Sequence, residues 1–137
     1  MWDLRSSKPI KTYDDHTDEV FDIAFNPSGN KLATVSADCT GRIYDILKDN
    51  NDQILVGHEK GISKVVFNSQ GTKLLTGSED STCRLWNVVN GEEIQILDDH
   101  KDEIFSCAFN YESDIIISAS KDNSCIIWKD EYSENLK

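Results

Sequence analysis

The chain has 137 residues, 38% of them hydrophobic, which suffices for a core in a domain of ordinary size. Its formal net charge is −11, with acidic residues spread along its length. That argues against sequence-independent nucleic-acid binding and against an anionic membrane surface, both of which need a basic face, and favours a basic or mixed protein partner.

The chain repeats itself at a fixed interval. His58, Phe67, Asp80 and Trp86 recur 42 residues later as His100, Phe109, Asp122 and Trp128, and 42 residues earlier as His16, Phe25, Asp38 and Tyr44. A constant period in this range marks a repeat architecture. Met1-Trp2-Asp3-Leu4 matches Ile43-Tyr44-Asp45-Ile46, so residues 1–15 are expected to close a preceding unit, with Pro9 marking a turn before a short strand over Ile10–Tyr13. Complete units then run over 16–57 and 58–99, and a shorter one over 100–129.

Each unit reads as four short strands. The first covers Val20–Phe25, with Ile62–Phe67 and Ile104–Phe109 as its equivalents, and is rich in β-branched and aromatic residues. Its alternation is imperfect. Either Phe21, Ile23 and Phe25 share one face, or a bulge near Phe21–Asp22 resets the parity. Asn26-Pro27-Ser28-Gly29 and Asn68-Ser69-Gln70-Gly71 carry turn chemistry, whereas Asn110-Tyr111-Glu112-Ser113 must turn without a glycine.

The second strand covers Lys31–Ser36, Leu74–Ser78 and Ile115–Ser120. A tight turn follows at Asp38, Asp80 and Asp122, where the carboxylate can bond its own backbone two residues on. The third covers Gly41–Tyr44, Cys83–Trp86 and Cys125–Trp128. A fourth is expected at Asp52–Val56 and Glu93–Leu97, and is missing from the last unit, where residues 130–137 form a polar tail. Sheets of four antiparallel strands recurring every ~40 residues imply an all-β propeller, here three blades plus the end of a preceding one. Turn signals at short intervals and the lack of i, i+3, i+4, i+7 spacing exclude a helical repeat.

Among Cys39, Cys83, Cys107 and Cys125 there is no Cys-x-x-Cys pair, and the histidines are far apart in sequence. Neither a metal site nor a cofactor is expected, and the cysteines are expected as free thiols. With no secretory leader and no apolar run approaching ~18 residues, a soluble cytoplasmic setting is the expectation.

His, Asp and Trp-Asp at these offsets resemble the WD-repeat family of propellers over residues 1–129. That resemblance implies a hydrogen-bonded tetrad in each blade: His58, Thr76, Asp80 and Trp86 in the middle one, and His100, Ser118, Asp122 and Trp128 in the last. The first would use His16, Thr34 and Asp38 and end on the hydroxyl of Tyr44. Ser36, Ser78 and Ser120 are second choices for the hydroxyl. A His–Ser–Asp set can also be read as a hydrolase triad, but a triad is one constellation beside one cleft, and this set recurs in every unit. No enzyme activity is expected.

The resemblance also implies a ligand rim at Glu19, Phe21 and Ala37, at Gly61, Ser63 and Glu79, and at Glu103, Phe105 and Lys121. Phe21 and Phe105 are expected to face a partner as aromatic anchors in an acidic rim, with packing between blades as the alternative. Residues 58–128 further resemble the final repeats of the axonemal dynein assembly factors with WD repeats. This implies a cytoplasmic, cilium- or flagellum-associated adaptor that hands outer-arm dynein to intraflagellar transport, and a chain forming part of a larger ring. Trp2-Asp3-Leu4-Arg5 also fits the Trp-Asp-x-Arg ending by which substrate receptors dock on a cullin ubiquitin ligase. The open sheet faces call for further blades or for self-association.

Overall fold

A computed structural model describes residues 2, 3, 5, 8–48 and 53–129. Every regular element among them is a strand. β1 (Trp2–Asp3) and β2 (Lys8–Pro9) form a short antiparallel ladder, with Trp2 opposite Pro9. Three larger antiparallel sheets follow. The first contains β3 (Val20–Phe25), β4 (Lys31–Ser36), β5 (Thr40–Asp45) and β6 (Gln53–Val56). The second contains β7 (Ile62–Phe67), β8 (Lys73–Ser78), β9 (Cys83–Asn87) and β10 (Glu93–Leu97). The third contains β11 (Ile104–Phe109), β12 (Ile115–Ser120) and β13 (Cys125–Lys129). Strands pair in chain order, so each sheet is a meander.

One expected strand is absent. Residues 11–16 carry no strand, and the pairing falls instead on Lys8–Pro9. Tyr13 turns to pack its ring on Tyr44, centroids 4.3 Å apart, so this stretch covers the outer part of the first sheet rather than extending a ladder. Asp52, expected to begin β6, and the tail 130–137 lie outside the described residues.

The parity question in the first strand is resolved by a bulge. Register shifts fall between Val20 and Asp22, Ile62 and Lys64, and Ile104 and Ser106, so Phe21, Ser63 and Phe105 are each left unpaired. One extra residue moves every following side chain to the other face. Ile62 can therefore join Val65 and Phe67 in one buried cluster, at a spacing that no regular strand allows.

The cores lie between sheets. Ala33, Val35, Ile43 and Leu55 from the first sheet meet Ile62, Val65, Phe67, Leu74, Trp86 and Val88 from the second. One period on, Leu75, Cys83, Leu85 and Leu97 from the second sheet meet Ile104 and Cys107 from the third, with Phe109, Ile116 and Trp128 packed alongside. The second sheet is apolar on both faces because it is sandwiched between the other two, and burying such side chains is worth about 1.5–3 kcal/mol apiece. The turns conform to the same plan. Gly29 and Gly71 have φ of 69° and 70°, and Ser113 takes the equivalent left-handed place at 64° in the turn without a glycine.

Candidate functional site

Each sheet is cross-linked at one end by a buried polar network. In the second sheet the His58 ring spans 2.7 Å from Nδ1 to Asp80 Oδ2 and 2.8 Å from Nε2 to Thr76 Oγ1, and Trp86 Nε1 donates to the same Thr76 hydroxyl at 2.9 Å. A consistent proton assignment exists for this chain. The indole N–H donates to Thr76, the Thr76 hydroxyl donates to Nε2, and Nδ1–H donates to Asp80. The third sheet repeats it, with His100 at 2.8 Å from both Asp122 and Ser118, and Trp128 Nε1 donating to Ser118 at 2.9 Å. In the first sheet His16 sits 2.8 Å from both Asp38 and Thr34.

The first network ends differently from the expectation. The Tyr44 hydroxyl is buried and makes no hydrogen bond among the described residues, although Thr34 and Asp15 lie near enough to influence it. Burial first, and then the Asp15 charge, push its pKa up to about 12. A phenol places its polar atom at the tip of the ring, whereas an indole carries N–H on its side, so tyrosine in this slot does not reach the hydroxyl that tryptophan reaches.

The aspartates anchor both the histidine and the turn. Asp80 accepts hydrogen bonds from the Glu59 amide at 3.0 Å, the Thr82 amide at 2.9 Å and the Thr82 hydroxyl at 2.7 Å, besides His58. Burial works to raise the carboxyl, but the bonds from His58 and Thr82 outweigh it and hold Asp80 well below its ordinary 3.8. In Asp38 burial is likewise overcome by Thr40, His16 and the Thr17 amide. In Asp122 the hydrogen bonds from Ser124 and the Lys101 amide lead.

Thr40, Thr82 and Ser124, each two residues after the aspartate, are members that the sequence reading missed. Their hydroxyls also stand 3.4, 3.3 and 3.2 Å from the histidine Nδ1. An Asp-x-Thr/Ser pattern at 42-residue intervals is the signal that could have found them. Ser36, Ser78 and Ser120 do not serve the histidines. They donate to loop carbonyls of Asp18, Gly61 and Asp102, and accept from the backbone amides of Asp38, Asp80 and Asp122.

The rim lies at the bulged end of the first strands. Backbone bonds of 2.9 Å from Ala37 to Glu19, Glu79 to Gly61 and Lys121 to Glu103 tie each second-to-third-strand turn to the segment just before its bulge. Phe21 and Phe105, as unpaired bulge residues, are exposed. The Phe21 ring also crosses to the next sheet, since a Cβ built on Gly61 would stand 3.3 Å from both Phe21 Cε2 and Ala37 Cα, and 3.4 Å from Glu79 Cδ. The structure thus brings Phe21, Ala37, Gly61 and Glu79 together. Lys121 pairs with Glu103 at 3.2 Å, so part of that acidity is internally neutralised. Ser63 is not free: its hydroxyl lies within hydrogen-bond reach of both the Gly77 and Ile104 carbonyls, the nearer being that of Ile104, and so links the second sheet to the third. Of the Trp-Asp-x-Arg segment, Leu4 lies outside the described residues, and the exposed Arg5 donates its amide to Asp3 at 2.9 Å.

Meanders stacked face to face, each held by a histidine bound on both ring nitrogens, are blades of a β-propeller. The family described as "WD domain, G-beta repeat" matches residues 7–45, 50–87 and 91–129, and the chain belongs to this WD-repeat family. Repeats of this family mediate protein–protein interactions, and no catalytic family is indicated. Among curated proteins the chain is similar to a guanine nucleotide-binding protein subunit beta of Zea mays, 34% identical over 55 residues, 39% of this chain and 14% of that protein. It is 35% identical over 60 residues to the nuclear distribution protein nudF of Aspergillus terreus, 44% of this chain and 14% of the relative. It is 36% identical over 64 residues to WD repeat and SOCS box-containing protein 1 of Danio rerio, 45% and 15% respectively. The alignments thus span about one-seventh of each relative's length.

Proposed function

We propose that this chain is part of a non-enzymatic protein-interaction scaffold whose partner-facing surface is the bulged rim, and that it serves the preassembly and intraflagellar transport of outer-arm axonemal dynein. The observation that carries the rim reading is the exposure of Phe21 and Phe105 at bulges, each with a glutamate two residues before it, Glu19 and Glu103. A rigid aromatic anchor with a charged surround gives a partner both contact area and steering. The dynein role is supported by the resemblance of residues 58–128, and the setting it calls for is the cytoplasm of ciliated or flagellated cells. Its partners are then dynein-arm components and the transport complex.

The test is affinity capture from flagellated cells expressing the tagged protein, with and without Phe21→Ala and Phe105→Ala together. Wild-type protein is expected to bring down outer-arm dynein subunits, and the double variant to lose them with an unchanged melting temperature. Equal capture by both would remove the rim reading. Capture of other proteins but no dynein subunit by the wild type would remove the dynein role and leave the scaffold.

A further inference from the structure

Cys83 of the second sheet and Cys107 of the third meet inside one buried cluster, at 1% and 4% exposure. Gly77 sets how they meet. It stands opposite Cys83 in the ladder, and a Cβ built on it would lie 3.6 Å from Cys107 Sγ. Directly opposite residues of an antiparallel pair carry their Cβ atoms on one face, about 4.5–5.5 Å apart. The Cys107 sulfur therefore lies over the Gly77 site with the Cys83 side chain beside it, and Gly77 puts no side chain between them. One period earlier the same three places hold Val35, Gly41 and Val65, with both valines buried in the first interface. The fold thus fills this spot without sulfur, and packing alone does not call for two thiols. Interaction with the Cys83 thiol first, and burial second, push the Cys107 thiol well above its ordinary 9.0. Thiolate is scarce while the interface is closed, which keeps the pair reduced under mild conditions.

We propose that Cys83 and Cys107 form a redox-modification site, closing to a disulfide that staples the second sheet to the third when the protein meets hydrogen peroxide. The thiolate of one cysteine attacks a peroxide oxygen and breaks the O–O bond, giving a sulfenic acid, and the departing hydroxide takes up the thiol proton as water. The other sulfur then attacks the sulfenic sulfur. Its proton leaves with the sulfenic hydroxyl as a second water, and the S–S bond remains. Two thiols and one peroxide give one disulfide and two waters, so the peroxide is reduced as the sulfur pair is oxidised. Peroxide must first reach one sulfur, so the reaction waits on a local parting of the two sheets, and reclosure returns the second sulfur to the first. The loop so closed runs from β9 through β10 to β11, the strand that carries Phe105. Cross-linking removes freedom from the unfolded chain, so the oxidised form is the more stable one.

The test uses the whole chain carrying Cys39→Ser and Cys125→Ser, so that only the buried pair can react. Serine suits the first of these places, since Ser81 holds it in the second sheet, also at positive φ. The protein is treated with hydrogen peroxide at neutral and alkaline pH, remaining thiols are alkylated, and peptides are mapped without reduction. The Cys83 and Cys107 peptides should be joined and the chain lighter by two hydrogens. Linking should run faster at alkaline pH and in urea below the unfolding transition. The melting temperature should rise by several degrees and fall back when dithiothreitol is added. Adding Cys107→Val, the residue that Val65 supplies in the first interface, or Cys83→Ala should remove both the link and the rise, with an unchanged circular-dichroism spectrum. Oxidation to sulfinic acid without a link, or a link made only in the unfolded chain, would overturn the proposal. A link that leaves the melting temperature level or lowers it would overturn it equally.

Discussion

Gly77 stands directly opposite Cys83 in the second sheet, and at the same two positions of the first sheet Val35 stands opposite Gly41. The larger and smaller partners have exchanged strands. A Cβ on Gly77 would lie 2.7 Å from Ile104 Cγ2, and one on Gly41 would lie 3.1 Å from Leu55 Cδ1, so each glycine makes room for a residue that seals an interface. Gly77→Val should therefore destabilise the protein by about 1–3 kcal/mol through overpacking. Adding Cys83→Gly should return part of that loss, because the pair then matches the first sheet. Urea unfolding of both single variants and the double variant reads the coupling, and strict additivity would show that the two sites do not share space.

Thr76 hydrogen-bonds both His58 Nε2 and Trp86 Nε1 through one hydroxyl. Replacing it with valine leaves two buried groups unpaired at once, and a loss of about 2–4 kcal/mol is expected from chemical denaturation. Thr76→Ser should recover most of it, since Ser118 fills the same role in the third sheet. Thr82→Val should cost about 1 kcal/mol, because Asp80 retains His58 and the Glu59 and Thr82 amides.

Acid should unfold the protein through its turn aspartates. Asp38, Asp80 and Asp122 are all held below their ordinary value of 3.8 in the folded chain. Between the folded and unfolded pKa the unfolded state binds more protons, so stability rises with pH there. Their contribution is complete above the unfolded value and is lost as pH falls below about 4 toward the depressed folded values. Urea midpoints measured from pH 6 down to pH 3 should fall, and Asp80→Asn should lower the midpoint at pH 6 while flattening the slope. An unchanged slope would place the acid sensitivity in other carboxyls.

Tyr44 carries a buried hydroxyl without a hydrogen-bond partner among the described residues. Tyr44→Phe removes an unsatisfied polar atom and keeps the ring packed on Tyr13, so stability should stay level or rise by about 1 kcal/mol. Thermal melts decide it, and a clear loss would show that the hydroxyl is bonded in solution.

The amino-acid sequence by itself determined the period and the strand order, because a repeat displays the same residues at the same offset each time. The histidine–hydroxyl–aspartate networks were what the resemblance to the WD-repeat family implied, and they fit the need of a buried imidazole, indole or carboxylate for partners. The choice between Thr76 and Ser78 needed tertiary structure. Both hydroxyls project from β8, and only the docking of the His58 and Lys60–Gly61 segments decides which one meets the ring and which one meets a carbonyl. The bulges at Phe21, Ser63 and Phe105 were likewise undecided, because side-chain alternation cannot say where an extra residue sits until the partner strand fixes the register. Tyr13 was read as strand and became a cover for Tyr44, since neighbouring residues in the chain do not reveal a contact across thirty others. Local chemistry therefore wrote the blades, and the packing of one sheet on the next decided which faces are buried and which remain open.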